Sequence, residues 1–238
     1  MDLKGQRILI VGGTSGFGLE VAKQVLTRGA VVHVIGHTPA HVQRALRQLT
    51  SLGVVHGTAL DAQAGTAMGA FFERHAPFDH VLSFLGGAMG GGFLENSVTA
   101  IRATIEAKFF ANLQLVQLAS RRLNRHGTIV LTSGAGGHPY DASGAIIGNQ
   151  AINTLVAGVA VELAPDYRIN AVAPTWTPTG LWRQLSPEQR QKQANEFSRG
   201  VPLRRVATVA EVASAYVYLM QNEFVTGQVL HVDGGVAL

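Results

Sequence analysis

Apolar positions along the chain follow two periods that take turns. Short β-branched runs bounded by glycine or polar residues recur at Ile8–Val11, Val31–Ile35, Val54–Ala59, His80–Phe84, Thr128–Thr132, Arg168–Val172 and Val229–Val232, and each predicts a strand. Between them, apolar residues at helical spacing predict helices over Leu19–Arg28, Pro39–Leu52, Ala64–His75, Val98–Leu123, Ala145–Leu163 and Val209–Gln221. Such alternation, with strands that are almost continuously apolar, predicts a doubly wound α/β fold. Its seven strands would form a mostly parallel sheet, covered by helices on both faces and joined by right-handed crossovers. Linkers are short except at Thr175–Val201, a polar, partly helical insertion placed where a substrate lid would sit. No repeat or low-complexity tract interrupts the pattern.

Composition narrows this picture. At 238 residues and 47% hydrophobic, with no compositional break, the chain predicts one domain over 1–238. The net charge of +4 is small and scattered. The clusters Arg121/Arg122/Arg125 and Arg204/Arg205 read as solvated surface rather than a nucleic-acid stripe. The absence of cysteine excludes disulfides and thiolate metal sites. The nine histidines show no HExxH or other ligand-like spacing, so His33, His37, His41, His56 and the rest are assigned to surface or polar loops, and no metal is expected. A strand begins almost at once, at Arg7–Val11, and no apolar stretch looks long enough to cross a bilayer. A cytoplasmic protein without membrane or nucleic-acid partners is expected.

Directly after the first strand, and before a helix, stands Gly12-Gly13-Thr14-Ser15-Gly16-Phe17-Gly18. Glycines there let the backbone turn tightly, approach a pyrophosphate and pack helix on strand, while the helix N-terminus faces the negative charge. Thr14, Ser15 and Phe17 belong to the same cradle. This pattern resembles the TGxxxGxG of the short-chain dehydrogenase/reductase family, and the resemblance runs over essentially the whole chain. Asp61-Ala62 is similar to that family's adenine-contacting Asp-Val pair, and Gly86 falls at the glycine of its Asn-Asn-Ala-Gly motif. Ile169-Asn170-Ala171-Val172-Ala173-Pro174 is similar to Val-Asn-x-Val-x-Pro-Gly, with Thr175 in place of the last glycine. Thr179 falls where the family's threonine meets the cofactor's carboxamide and phosphates, and Val225-Thr226-Gly227-Gln228 with Val232-Asp233-Gly234-Gly235 closes the match. The resemblance implies a Rossmann-type fold, a nicotinamide dinucleotide, a small-molecule substrate, and a homodimer or homotetramer paired through the helices carrying Lys108 and Asn149. The second strand ends in Gly36-His37-Thr38, without the carboxylate that would repel a 2′-phosphate, so NADP is expected over NAD.

Carbonyl reduction in that family uses a tyrosine as acid, a lysine that lowers the tyrosine pKa, a serine that holds the substrate oxygen and an asparagine that holds a water relay. An ungapped register, anchored on Val161-Glu162-Leu163-Ala164, puts Ala145 at the tyrosine, Asn149 at the lysine, Gly134 at the serine and Lys108 at the asparagine. None of the four is retained. The candidate proton donors are therefore Lys108, Ser133, one residue before Gly134, and Tyr140. The last begins Tyr140-Asp141-Ala142-Ser143-Gly144, which is similar to a Tyr-x-Ala-Ser-Lys displaced upstream. Trp176, Leu181, Trp182 and Phe197, with Met89 and Phe93, are candidates for an apolar pocket wall. Three functions fit: an NADP(H)-dependent oxidoreductase with a non-standard acid acting on a small carbonyl or alcohol, a catalytically silent NADP(H)-binding sensor or oligomer partner, and an enoyl-type reductase in which substrate or water supplies the proton.

Overall fold

The computed structural model describes every residue except Ala76 and Arg183, together with the side chain of Leu181, so the expected role of Leu181 in a pocket wall lies outside the described residues. The strands are β1 (Arg7–Val11), β2 (Val31–Gly36), β3 (Val55–Ala59), β4 (Phe78–Ser83), β5 (Leu123–Thr132), β6 (Arg168–Pro174) and β7 (Val229–Val232). They pair in the order β3-β2-β1-β4-β5-β6-β7, all parallel. This is the doubly wound, Rossmann-like fold that the alternation predicts.

The strand order reverses between β1 and β4, whose last residues, Val11 and Ser83, are in register. Chain leaving these two strands diverges to opposite sides and opens a crevice at their carboxyl ends. The central strand shows why the sheet needs cover on both faces. Ile8 and Ile10 point into one core with α1 (Gly16–Leu26) and α8 (Val209–Gln221), while Leu9 and Val11 point into the other with α3 (Gly65–His75), α5 (Ala111–Ala119) and α6 (Ser143–Leu163). Helix α2 (Pro39–Leu49) is capped by Thr38, whose side chain accepts from the His41 N–H, and has proline in its first turn.

Three sequence expectations need correcting. The helix expected over Val98–Leu123 is divided into α4 (Val98–Ile105), a π-helical turn (Glu106–Phe110) and α5, and Leu123 already belongs to β5. The apolar period runs through the π turn unbroken, so spacing alone does not mark it. Two histidines are interior rather than surface groups. His33 on β2 and His80 on β4 are buried, because both strands are covered on each face. Helix α6 does reach the length and apolar composition of a membrane span. Its Gly148, Ile152, Val156 and Ala160 form a stripe at four-residue spacing that is buried against the rest of the fold. The insertion after β6 forms a 3₁₀ turn (Gly180–Trp182) and α7 (Pro187–Gly200), which starts in a Ser186/Gln189 capping box and buries none of its described side chains.

Candidate active site

A cleft of about 440 Å³ lies at the carboxyl ends of β1, β4, β5 and β6. Gly12, Ser15, Gly16, Phe17 and Gly18 line one part of it. A Cβ on Gly18 would stand 2.4 Å from the Gly12 carbonyl oxygen, so only glycine lets α1 start this close to β1. Gly16 has φ +53° and faces Thr179, whose Cβ would lie 3.5 Å from a side chain added there. Ser15, the N-cap residue of α1, makes no side-chain capping bond among the described residues, so the first N–H groups of the helix are left to an anion. These features fit a dinucleotide pyrophosphate.

The remaining cofactor candidates surround this cradle. Thr14 packs behind it, filling the space where Gly36 has no side chain. His37 is exposed at the end of β2 and Thr38 caps α2 beside it. Asp61 is exposed after β3, its Oδ1 accepting from the Gln63 N–H at 3.0 Å, and Ala62 is buried. The ends of β2 and β3 are adjacent in register, Gly36 opposite Ala59, so His37, Thr38, Asp61 and Ala62 share one corner of the sheet. Gly86 and Pro174 line the cleft at the ends of β4 and β6.

Lys108 is the only ionisable residue among the described residues lining the cleft. It is also the only buried residue of the π turn, with 7% of its surface exposed. Its stem passes between two glycines. A Cβ on Gly86 (φ +118°) would stand 2.4 Å from Lys108 Cδ, and one on Gly148 would stand 2.9 Å from Cγ. Nζ donates to the Ser133 carbonyl oxygen at 3.4 Å, a long bond, and no carboxylate pairs with it among the described residues. Burial pushes its pKa down from 10.5 to about 8. Asn112 on α5 donates to the Lys108 carbonyl at 2.6 Å and ties down the π turn that aims the side chain.

The other two donor candidates are placed differently. Ser133 lines the cleft, but its hydroxyl lies 2.6 Å from Asn153 Oδ1 and 3.2 Å from the Asn149 carbonyl, both on α6. Its proton is therefore directed into the helix. Tyr140 is 74% exposed in the loop before α6, stacked on His138 with ring centroids 5.1 Å apart, and is not among the cleft-lining residues. Ala145 and Asn149, four residues apart on α6, both line the cleft. The Asn149 carboxamide fills the space beside Gly134, since a Cβ on Gly134 would be 2.6 Å from Nδ2. Sequence reasoning missed Asn153; its four-residue spacing from Asn149, which puts both side chains on one face of α6, was the available signal.

Of the wall candidates, Trp176, Trp182, Phe197 and Met89 line the cleft, whereas Phe93 is partly exposed outside it. Trp176 and Trp182 stack at 5.6 Å, Phe197 lies 6.4 Å from Trp176, and the Trp182 indole N–H donates to the Thr177 carbonyl at 3.0 Å. Behind the cleft, Thr132 Oγ1 donates to the Ser83 carbonyl and meets the Tyr216 hydroxyl, each at 2.7 Å, which locks the ends of β4 and β5 to α8.

Residues 11–237 match a family model described as Enoyl-(Acyl carrier protein) reductase. The Short-chain dehydrogenase/reductase ATR9 of Stachybotrys chlorohalonatus is 30% identical over 251 residues, covering 99% of this chain and 98% of its own. The 2,3-dihydroxy-2,3-dihydro-p-cumate dehydrogenase of Pseudomonas putida is 30% identical over 254 residues, covering 99% and 95%. Among solved structures, a 3-oxoacyl-[acyl-carrier protein] reductase from Brucella melitensis is 26% identical with a TM-score of 0.87, covering 100% of this chain and 93% of its own. A short-chain dehydrogenase/reductase from Serratia marcescens shares the fold over 100% of both chains, with a TM-score of 0.90 at 20% identity. With the parallel sheet, the glycine cradle and a family match over nearly its whole length, this chain belongs to the short-chain dehydrogenase/reductases, a family of NAD(P)-binding oxidoreductases.

Proposed function

We propose that the protein is an NADP(H)-dependent oxidoreductase that interconverts a small carbonyl compound and its alcohol, with Lys108 in the acid–base role that tyrosine fills in the family. The observation that carries this reading is an ammonium group buried in the cleft with no carboxylate paired to it among the described residues. The bound cofactor supplies a hydride to the substrate carbon, or takes one from it. Lys108 holds the substrate oxygen and, protonated below about pH 8, gives it the proton that completes the alcohol. In the oxidative direction its neutral form takes that proton back. Asn149 offers a second N–H donor on the same wall, and the Trp176–Trp182–Phe197 cluster excludes water.

Gly12, Thr14, Ser15, Gly16, Phe17, Gly18, Gly86, Pro174 and Thr179 would hold the dinucleotide. Asp61 and Ala62 would meet its adenine, and His37 and Thr38 a 2′-phosphate. A silent cofactor sensor would gain nothing from burying an unpaired lysine, which costs stability. The test is single-turnover oxidation of bound NADPH with a panel of small carbonyl compounds as a function of pH. Reduction should fall away above about pH 8, nearly vanish in Lys108→Met, and persist in Tyr140→Phe. A fast reductase silenced by Tyr140→Phe alone would overturn the assignment.

A second reading, reduction of a conjugated carbon–carbon double bond, is favoured by the description of the matching family model. Turnover of an enoyl thioester in place of the carbonyl panel would select it.

A further inference from the structure

Part of the cleft is lined by aromatic rings, and among the described residues Lys108 is its one cation, with no carboxylate paired to it. Three rings form that part: Trp176 stacks on Trp182 at 5.6 Å and lies 6.4 Å from Phe197, tilted by 30°. Met89 adds a thioether, a polarisable partner for ring edges. On the α6 side of the cleft, Ala145 contributes only a methyl. Lys108 then presents a buried ammonium whose one hydrogen bond among the described residues is a long one to the Ser133 carbonyl.

A buried charge without a counter-charge is unfavourable until something anionic arrives, and a charge-assisted hydrogen bond in such a site is strong. An aromatic wall, in turn, favours flat π systems over puckered rings of the same size. We propose that the substrate is an aryl carbonyl compound, its ring lodged beside Ala145 against the Trp176–Trp182–Phe197 wall and its oxygen on Lys108, and that aryl carboxylates bind the same place as mimics of the oxyanion. This rests on the oxidoreductase reading and adds to it the class of substrate. The carboxylate of benzoate carries in its ground state the negative oxygen that an aryl aldehyde develops only as hydride arrives.

The protein reports its own occupancy, because Trp176 and Trp182 are its only tryptophans and both line the cleft. The experiment titrates the protein, with and without saturating NADP⁺, with three probes followed by tryptophan fluorescence. Benzoate is the flat anion, benzamide the flat neutral isostere and cyclohexanecarboxylate the puckered anion. Benzoate should bind with NADP⁺ present, about tenfold or more tighter than benzamide, and more tightly than cyclohexanecarboxylate. Lys108→Met should equalise benzoate and benzamide. Ala145→Phe should fill the ring site and weaken all three probes, while NADPH still binds. Equal affinity for benzoate and benzamide, a preference for benzoate that survives Lys108→Met, or competition between benzoate and NADP⁺ would each overturn the proposal. Cyclohexanecarboxylate binding as tightly as benzoate would overturn its aromatic part. Failure of NADPH to bind would instead strike the cofactor reading, since the probe titrations without cofactor stand independently.

Discussion

Replacing Lys108 with methionine should make the protein more stable, even as it removes the proposed acid. The fall of the Lys108 pKa from 10.5 to about 8 has a single cause, burial, with no partner compensating it. At about 1.36 kcal/mol per pH unit, that difference corresponds to ~3 kcal/mol of strain against the charged form in the folded state. The sign follows from proton counting. The folded pKa lies below the unfolded one, so between pH 8 and 10.5 the unfolded chain binds more protons, and stability rises with pH across that window. Below pH 8 both states are protonated and the full penalty is present; above 10.5 it has gone. Methionine keeps most of the stem packed between Gly86 and Gly148 but forfeits the long bond to Ser133, worth about 1 kcal/mol. The net gain at pH 7 is therefore ~2 kcal/mol, or roughly 4–8 °C in Tm for a chain of this size. Urea denaturation of parent and variant without cofactor, at pH 7 and at pH 10.5, measures it. The gain should vanish or slightly reverse at the higher pH, where about 0.4 kcal/mol of the penalty remains against the ~1 kcal/mol lost with the bond. A variant that is less stable at pH 7, or a difference that does not depend on pH, would refute the view that Lys108 is a desolvated and unpaired charge.

His80 is fully buried, neither ring nitrogen has a partner among the described residues, and burial pushes its pKa down to about 4. Stability should thus be lost as pH falls from 6.5 towards 4, by about 2 kcal/mol at pH 5 from this group alone, and denaturation of His80→Leu at pH 7 and pH 5 should show that share removed. Gly134→Ala should destabilise by about 1–3 kcal/mol, because its Cβ would collide with the Asn149 carboxamide; a double-mutant cycle with Asn149→Ala should recover most of the loss, and simple additivity would count against that contact. NADPH should bind more tightly than NADH, and His37→Asp should reverse the order by placing a carboxylate at the end of β2, which calorimetry decides. Val161 and Ile147 leave apolar surface on the outer side of α6, as Phe110 does at the π turn, so sedimentation at micromolar concentration should find a symmetric dimer or tetramer.

The sheet was readable because its strands are buried on both sides. When every position of a strand such as Ile8–Val11 is buried and must be apolar, the run stands out from the helical spacing around it. The glycine cradle was readable for a related reason: Gly18 meets a backbone oxygen and Gly16 takes a positive φ, so no other residue serves. The division of Val98–Leu123 was not readable, since a π turn costs one hydrogen-bond register and leaves the apolar spacing intact. The interior histidines were hidden by a composition rule that treats histidine as polar, although a neutral imidazole pressed among apolar groups behaves as a flat, weakly polar ring.

The site divides along the same line. Identity alone could nominate Lys108, Ser133 and Tyr140, but what separates them is where each hydrogen-bonding atom points. Ser133 and Asn153 are twenty residues apart in sequence, and nothing local to Ser133 announces that α6 takes its proton. Tyr140 sits three residues before α6, and a helix start displaced by one turn would have brought it towards the cleft; Ser143 as the first helical residue leaves it outside. Lys108 lies inside the π turn, on the same stripe as the buried α5 residues Asn112, Leu115 and Ala119, and the turn is tied down by the Asn112–Lys108 hydrogen bond. Removing it with Asn112→Ala should then disturb the Lys108 pKa, read from the pH limb of the single-turnover rate, before it disturbs cofactor binding, whose residues lie on other elements. Equal loss of both would mean that Asn112 supports the fold as a whole rather than the aim of one side chain.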